Sequence, residues 1–294
     1  MATAKQIADQ AQQHPTAIRA LENWATQHAT QQLAERLAAA HRDANTHWTR
    51  TTQGQRPTAQ ALEKLLATIK RLLAAAFRGQ GARAQKAAAA AAHKGALLGA
   101  AQAAAIAEAM TGQPTPDARP QPAGSRGITG PASQAAVASI PGVVEEEHQR
   151  ALALLTTATA TALGGAVVAT VFNRTRRAVA RVALAVSVGV TSAVAAGVTA
   201  VARALGPRTR LLWVAEPGAC PACVAYAGQS IPIGGRFPGG LTVDARRTVF
   251  PDPIPGPPRH PHCRCDLIPW RREWHTGGTP LPELLRTRAR TGGA

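Results

Sequence analysis

Apolar positions recur at spacings of three and four through most of the first two hundred residues, the signature of helices that bury one face. Pro15 sits at a first-turn position. Ile18, Leu21, Ala25, Leu33, Leu37, Ala40 and Ala44 then predict one long helix, closed by Gly54 and Pro57. Leu62, Leu65, Leu66, Ile69, Leu72, Leu73 and Phe77 predict a second, stopped by Gly79 and Gly81, and the Ala-rich tract from Arg83 to Met110 predicts a third. Further on, Val179, Val182, Val186, Val190, Val194, Val198, Val201 and Leu205 make seven steps in 26 residues, which is one continuous helical stripe. Beside it runs a ridge of small residues, Ala185, Gly189, Ala193 and Gly197, which would let a second backbone come close, and Ser187, Thr191 and Thr199 are expected on the opposite side.

Two breaks interrupt the pattern. The stretch "GQPTPDARPQPAGSRGITGP" is too rich in Pro, Gly and charge for helix and reads as a linker. After residue 205 periodicity gives way to irregular structure, with a short strand-like run at Leu211, Leu212, Trp213 and Val214 and a turn at Glu216-Pro217-Gly218. The expected organisation is an N-terminal helical arm (1–111), a Pro/Gly linker (112–131), an Ala/Val helical hairpin (132–205), a Cys/His module (206–276) and a basic C-terminal tail (277–294). The fold class that follows is mainly α: long Ala/Val-rich helices, then a small Pro/Gly-rich α+β module.

Composition sharpens this picture. Of 66 alanines, 58 lie in residues 1–205, and 14 of 22 prolines lie after them. Small side chains bury little area each, so the helices must approach closely. Only ten residues are aromatic, which excludes a large aromatic-cored barrel; Trp213, Trp270 and Trp274 are the expected core of the C-terminal module. The formal charge of +17 favours a polyanionic partner. Arg174, Arg176, Arg177 and Arg181 cluster in "NRTRRAVAR", read either as a phosphate contact or as a solvated corner between two helices; with no aromatics interleaved, DNA contact there would be salt-sensitive and blind to sequence. Residues 151–172 and 182–202 carry no charge and are long enough to span a bilayer. Each holds only eight residues from Leu, Ile, Val and Phe, however, so packed helices are the favoured reading over a membrane hairpin. The N-terminus lacks the apolar run of a secretory signal, and the chain is expected to be made in the cytoplasm.

All four cysteines fall between residues 220 and 265. In a reducing compartment such clustering points to metal before disulfide. Cys220 and Cys223, two residues apart around Pro221, can both face one ion, and "PPRHPHCRC" supplies His260, His262, Cys263 and Cys265. In an extended segment Cys263 and Cys265 project to one side and the histidines to the other. The preferred ligand set is therefore Cys220, Cys223, Cys263 and Cys265 around zinc, with His260 the substitute if a turn reorients the run; disulfides formed in an oxidising medium are the alternative. Four protein ligands make a closed, structural site.

Trp213, the "CPAC" run, Gly228 and "PPRHPHCRCDLIP" together resemble the C-terminal signature of the phage Mu F-like minor head, or capsid morphogenesis, family. The resemblance spans Leu211 to Trp270 and carries over Cys220, Cys223, Gly228, Pro258, His260, Pro261, Cys263, Arg264 and Cys265. It departs at His262, where the family usually has another polar residue, and in lacking the Arg-Thr-Glu triplet often seen in the preceding helix, for which Arg174-Thr175-Arg176 is the nearest stretch. The resemblance implies a low-copy virion component near the portal, inside the head, that aids assembly and DNA packaging or delivery. It also implies portal and capsid proteins as partners, no small-molecule substrate and no enzymatic activity, and it is compatible with a homo-oligomer. Two other readings stand beside it: a zinc-supported nuclease in which His260 or His262 activates water and Arg264 holds phosphate, and a membrane-active DNA-delivery protein.

Overall fold

The computed structural model describes residues 2–115, 129–246, 249–274 and 276–292. The chain is mainly helical, with a small three-stranded sheet near its C-terminus. The elements are α1 (Ala4–Ala11), α2 (His14–Thr52), α3 (Ala59–Phe77), α4 (Gln80–Thr111), α5 (Gly130–Ala138), α6 (Ile140–Leu152), α7 (Thr157–Leu163), α8 (Ala166–Ala204), β1 (Arg210–Val214), α9 (Pro221–Tyr226), β2 (Ser230–Pro232), β3 (Asp266–Trp270) and α10 (Leu281–Thr291). Most of the expected linker, residues 116–128, lies outside the described residues.

Two compact units share this chain and do not follow its order. One comprises Met1–Trp24, Ala89–Ala136 and Ser187–Ala294; the other comprises Ala25–Ala88 and Val137–Val186. In the second unit most of the face predicted for α3 is buried: Leu62, Leu65, Leu66, Ile69, Leu73 and Phe77 are buried and Leu72 is half-buried, and α3 packs against α6 and α7. Phe77 stacks on His148, with ring centroids 4.9 Å apart, and His41 stacks on Phe172 at 4.8 Å.

The expected hairpin corrects in two places. Residues 151–172 are not one helix: Thr156 caps α7 by accepting from the Thr159 amide at 3.1 Å, and Gly164 ends it at a φ of +55°. The Arg-rich segment, in turn, is no corner. It lies inside the 39-residue α8, because Arg and Ala are strong helix formers and nothing in "NRTRRAVAR" breaks the backbone. There Arg174 and Arg181 pair with the buried Glu147 of α6 at 3.2 and 2.7 Å, joined by Arg150 at 2.9 Å, while Arg176 and Arg177 stay exposed. Burial alone would raise the Glu147 pKa, but hydrogen bonds and charge from the three arginines hold it below the usual carboxylate value.

In the first unit, α4 and α8 cross with backbones in contact. A Cβ on Gly99 would overlap the Val194 carbonyl, one on Gly197 would overlap the Ala96 carbonyl, and one on Gly95 would lie 3.0 Å from the Val190 oxygen. The small-residue ridge thus does what its spacing predicts. Ser187 and Thr191, expected opposite the stripe, are buried instead, because α8 is enclosed on more than one side here. Within the described residues α8 is the one helix long and apolar enough to cross a membrane, and 67% of its most apolar stretch is buried.

The sheet has the order β2-β1-β3, antiparallel throughout, with Trp213 opposite Leu267 and Leu212 opposite Ile268. Both faces are covered. Leu211, Trp213 and Leu267 join Tyr226, Phe237, Cys223, Cys263 and Cys265 over the Ala100, Ala103, Ala195 and Val198 surface of α4 and α8. Leu212, Val214 and Ile268 meet α1, Ile106, Met110, Leu281 and Leu285. The aromatic centre is Trp213 with Tyr226 and Phe237, each 5.0 Å away, rather than the three tryptophans expected from sequence. Strand alternation turns Trp270 away from that cluster, and Trp274 packs at the rim of the other face with Arg271 above its ring. The segment expected as a basic tail contains α10, which buries Leu281 and Leu285 one turn apart and contacts α1 and α9.

Candidate metal centre

The site begins where β1 ends. Gly218 turns the chain at a φ of +74°, Cys220 takes the N-cap of α9 with Pro221 next to it, and Cys223 follows in the first turn. A helical first turn brings residues three apart onto one face, so both sulfurs point the same way. Gly228 closes this segment at a φ of +68°; its amide donates to the Trp213 carbonyl at 3.0 Å, and a Cβ there would overlap the Pro282 carbonyl. That is a structural reason for glycine at this position.

An excursion separates the two halves of the site. A bridge between Phe237 and Ile254 folds it back on itself. The buried Arg259 guanidinium pins it, donating to the carbonyls of Phe250 and Asp252 and lying over the Tyr226 and Phe250 rings at 5.8 and 5.2 Å. Residues 260–263 then form a turn in which the Cys263 amide donates to the His260 carbonyl at 3.0 Å. His262 takes a left-handed conformation, φ +61°, and its amide donates to Ser187 Oγ of α8 at 2.9 Å.

This turn decides which candidate donors meet. His260 Nε2 lies 3.3 Å from Cys220 Sγ and 3.5 Å from Cys223 Sγ, and Cys223 Sγ lies 3.7 Å from Cys263 Sγ. Cys220, Cys223 and His260 form one group of donors within 4.8 Å of one another; Cys223, Cys263 and Cys265 form another. Cys223 belongs to both. Each of the five predicted ligands thus joins one of the two groups, and neither group holds all four cysteines of the preferred set; His262 is aimed elsewhere. The four cysteines are free thiols, three of them buried and Cys220 half-buried. These groups can hold a metal ion: with metal–sulfur bonds near 2.3 Å, tetrahedral ligands stand about 3.8 Å apart, close to the observed sulfur–sulfur spacing.

The clustered donors perturb one another's titration. The hydrogen bond from Cys223, supported by His260, lowers the Cys220 thiol to about 4, and the bond to Cys220 raises His260 to about 9. Cys223, packed among the other sulfurs, is pushed up. Thiols crowded this closely cannot all ionise without a positive charge among them.

Sequence reasoning missed the groups that hold the site from the side of α2. Buried Glu22 accepts from Arg264 Nε at 2.7 Å and lies 2.7 Å from His262 Nδ1; buried His14 Nδ1 lies 2.7 Å from Asp266 Oδ2; Arg19 pairs with Glu216. More than 190 residues separate the members of each pair, and no local pattern marks them. Comparisons with protein-family models, with curated proteins and with solved structures find no match to this chain.

Proposed function

We propose that the chain is a phage minor head, or capsid morphogenesis, protein of the Mu F-like kind: a low-copy component of the virion, inside the head near the portal, made in the host cytoplasm and aiding head assembly and DNA packaging or delivery. The observation that carries this reading is the order and spacing of Cys220, Cys223, Gly228, His260, Cys263, Arg264 and Cys265. The bound ion is zinc, on the argument that a thiolate-rich set with one imidazole suits it, and it would cross-link two chain segments that are otherwise joined only through a Pro- and Gly-rich excursion. Its role is structural. Three of the four cysteines are buried, and Arg264 is committed to Glu22 rather than open to a phosphate, which supports a protein without enzymatic activity over a nuclease. Portal and capsid proteins are the proposed partners. Arg176 and Arg177 are available for salt-sensitive contact with DNA phosphates.

The test is co-expression with the portal protein encoded in the same genome, followed by sedimentation of portal rings. Co-sedimentation supports the reading. A chain that ignores portal and nicks plasmid DNA, with nicking abolished by joint His260→Ala and His262→Ala substitution, overturns it in favour of the nuclease.

A further inference from the structure

From His262 to Asp266 the chain alternates between two duties. Cys263 and Cys265 face the sulfur cluster, while His262, Arg264 and Asp266 face α2. On α2 the receiving groups are His14 and Glu22, eight residues apart and so about two turns apart on one helical face. These pairs leave no slack: Glu22 is 2% exposed and Asp266 0%, Glu22 takes a second bond from Arg264 Nη2 at 3.3 Å, and Ser187 Oγ accepts from the His262 amide at the start of the segment. A buried carboxylate such as Glu22 is tolerated only while its partners are held in place. Those partners alternate with the two cysteines that an ion would fix.

We propose that metal occupancy of the Cys/His cluster governs the seating of the N-terminal segment, residues 4–24, on the C-terminal module, with Glu22 as the positioning residue that transmits it. The inference rests on the metal reading above. With the ion bound, segment 262–266 is rigid and offers Arg264, His262 and Asp266 to α2 in fixed register. With the ion removed, the segment loosens, Glu22 loses compensation for its buried charge, and the first turns of α2 come away together with α1.

The experiment compares the full chain loaded with zinc, stripped by a chelator and reloaded, by amide hydrogen exchange read by mass spectrometry. Stripping is expected to speed exchange about tenfold in residues 14–24 and 262–270 together, with α3 unchanged and reloading restoring both. The Glu22→Gln variant is expected to keep its zinc while residues 14–24 exchange at the stripped rate. Three results overturn the latch alone: residues 14–24 exchanging equally with and without zinc in a chain that binds it, Glu22→Gln leaving those residues protected, or stripping that loosens α3 to the same degree. A chain that takes up no zinc overturns the metal reading along with the latch.

Discussion

Cys223 and Cys263 place their sulfurs 3.7 Å apart from positions 40 residues distant in sequence. The gap is far too wide for a disulfide and suits two ligands on one tetrahedral ion. Since Cys223 alone belongs to both donor groups, it is the thiol the site can least spare. Cys223→Ser should drop retained zinc from about one ion per chain to nearly none after gel filtration, whereas Cys265→Ser, with His260 able to complete a set of four, should keep most of it. Elemental analysis of the two purified variants decides; equal retention by both would show that Cys223 has no special place.

In metal-stripped protein the thiols should differ sharply in reactivity. Cys220 is half-exposed with its pKa near 4, so it stays a thiolate down to about that pH. Alkylation by iodoacetamide should mark Cys220 first and at a nearly constant rate between about pH 6 and 8. An ordinary thiol would instead speed up about tenfold per pH unit over that range. Peptide mapping reads the site and the rate.

Glu147 ties α6 to α8 through Arg150, Arg174 and Arg181. Its pKa is depressed in the folded chain. Its contribution is therefore present above the ordinary carboxylate pKa and is lost as pH falls through the lower folded value. Glu147→Gln should cost about 2 kcal/mol at neutral pH and flatten the acid limb of the stability curve. Urea titrations at pH 7 and pH 3.5 measure both; an equal deficit at the two pH values would refute the assignment.

Two glycines should respond oppositely to alanine. Gly197→Ala forces a Cβ into the Ala96 carbonyl and should destabilise by about 1–3 kcal/mol. Gly142 lies in α6 with nothing within 4 Å of the place an alanine Cβ would take, and alanine there should stabilise by up to about 1 kcal/mol. Thermal melts of the two variants check the contrast.

The helices were legible because their signal is local. The buried face of α3 and the Gly-lined crossing of α8 follow directly from spacings of three and four in the sequence. Alpha1 carried a readable sign too, the capping box between Thr3 and Gln6, but eight residues give little periodicity to support it. The cysteines were legible for a different reason, since ligand chemistry restricts residue type whatever the fold. Glu22, His14 and Tyr226 were not legible. Their roles come from contacts across the tertiary structure, and nothing in their neighbours distinguishes a carboxylate that will be buried against Arg264 from one left in water. The expected hairpin failed where Gly164 and the capping Thr156 outweighed an uncharged run.

Beta1 supplies alternate residues to two separate apolar clusters, one face to the aromatic centre and the other to α1 and α10. A one-position slip against its neighbours would push the Trp213 indole among small aliphatic groups and leave a void where it had been, spoiling both sides at once. The strand is thereby proofread from above and below, so length changes among its loops should be absorbed by the turns and not by sliding the pairing.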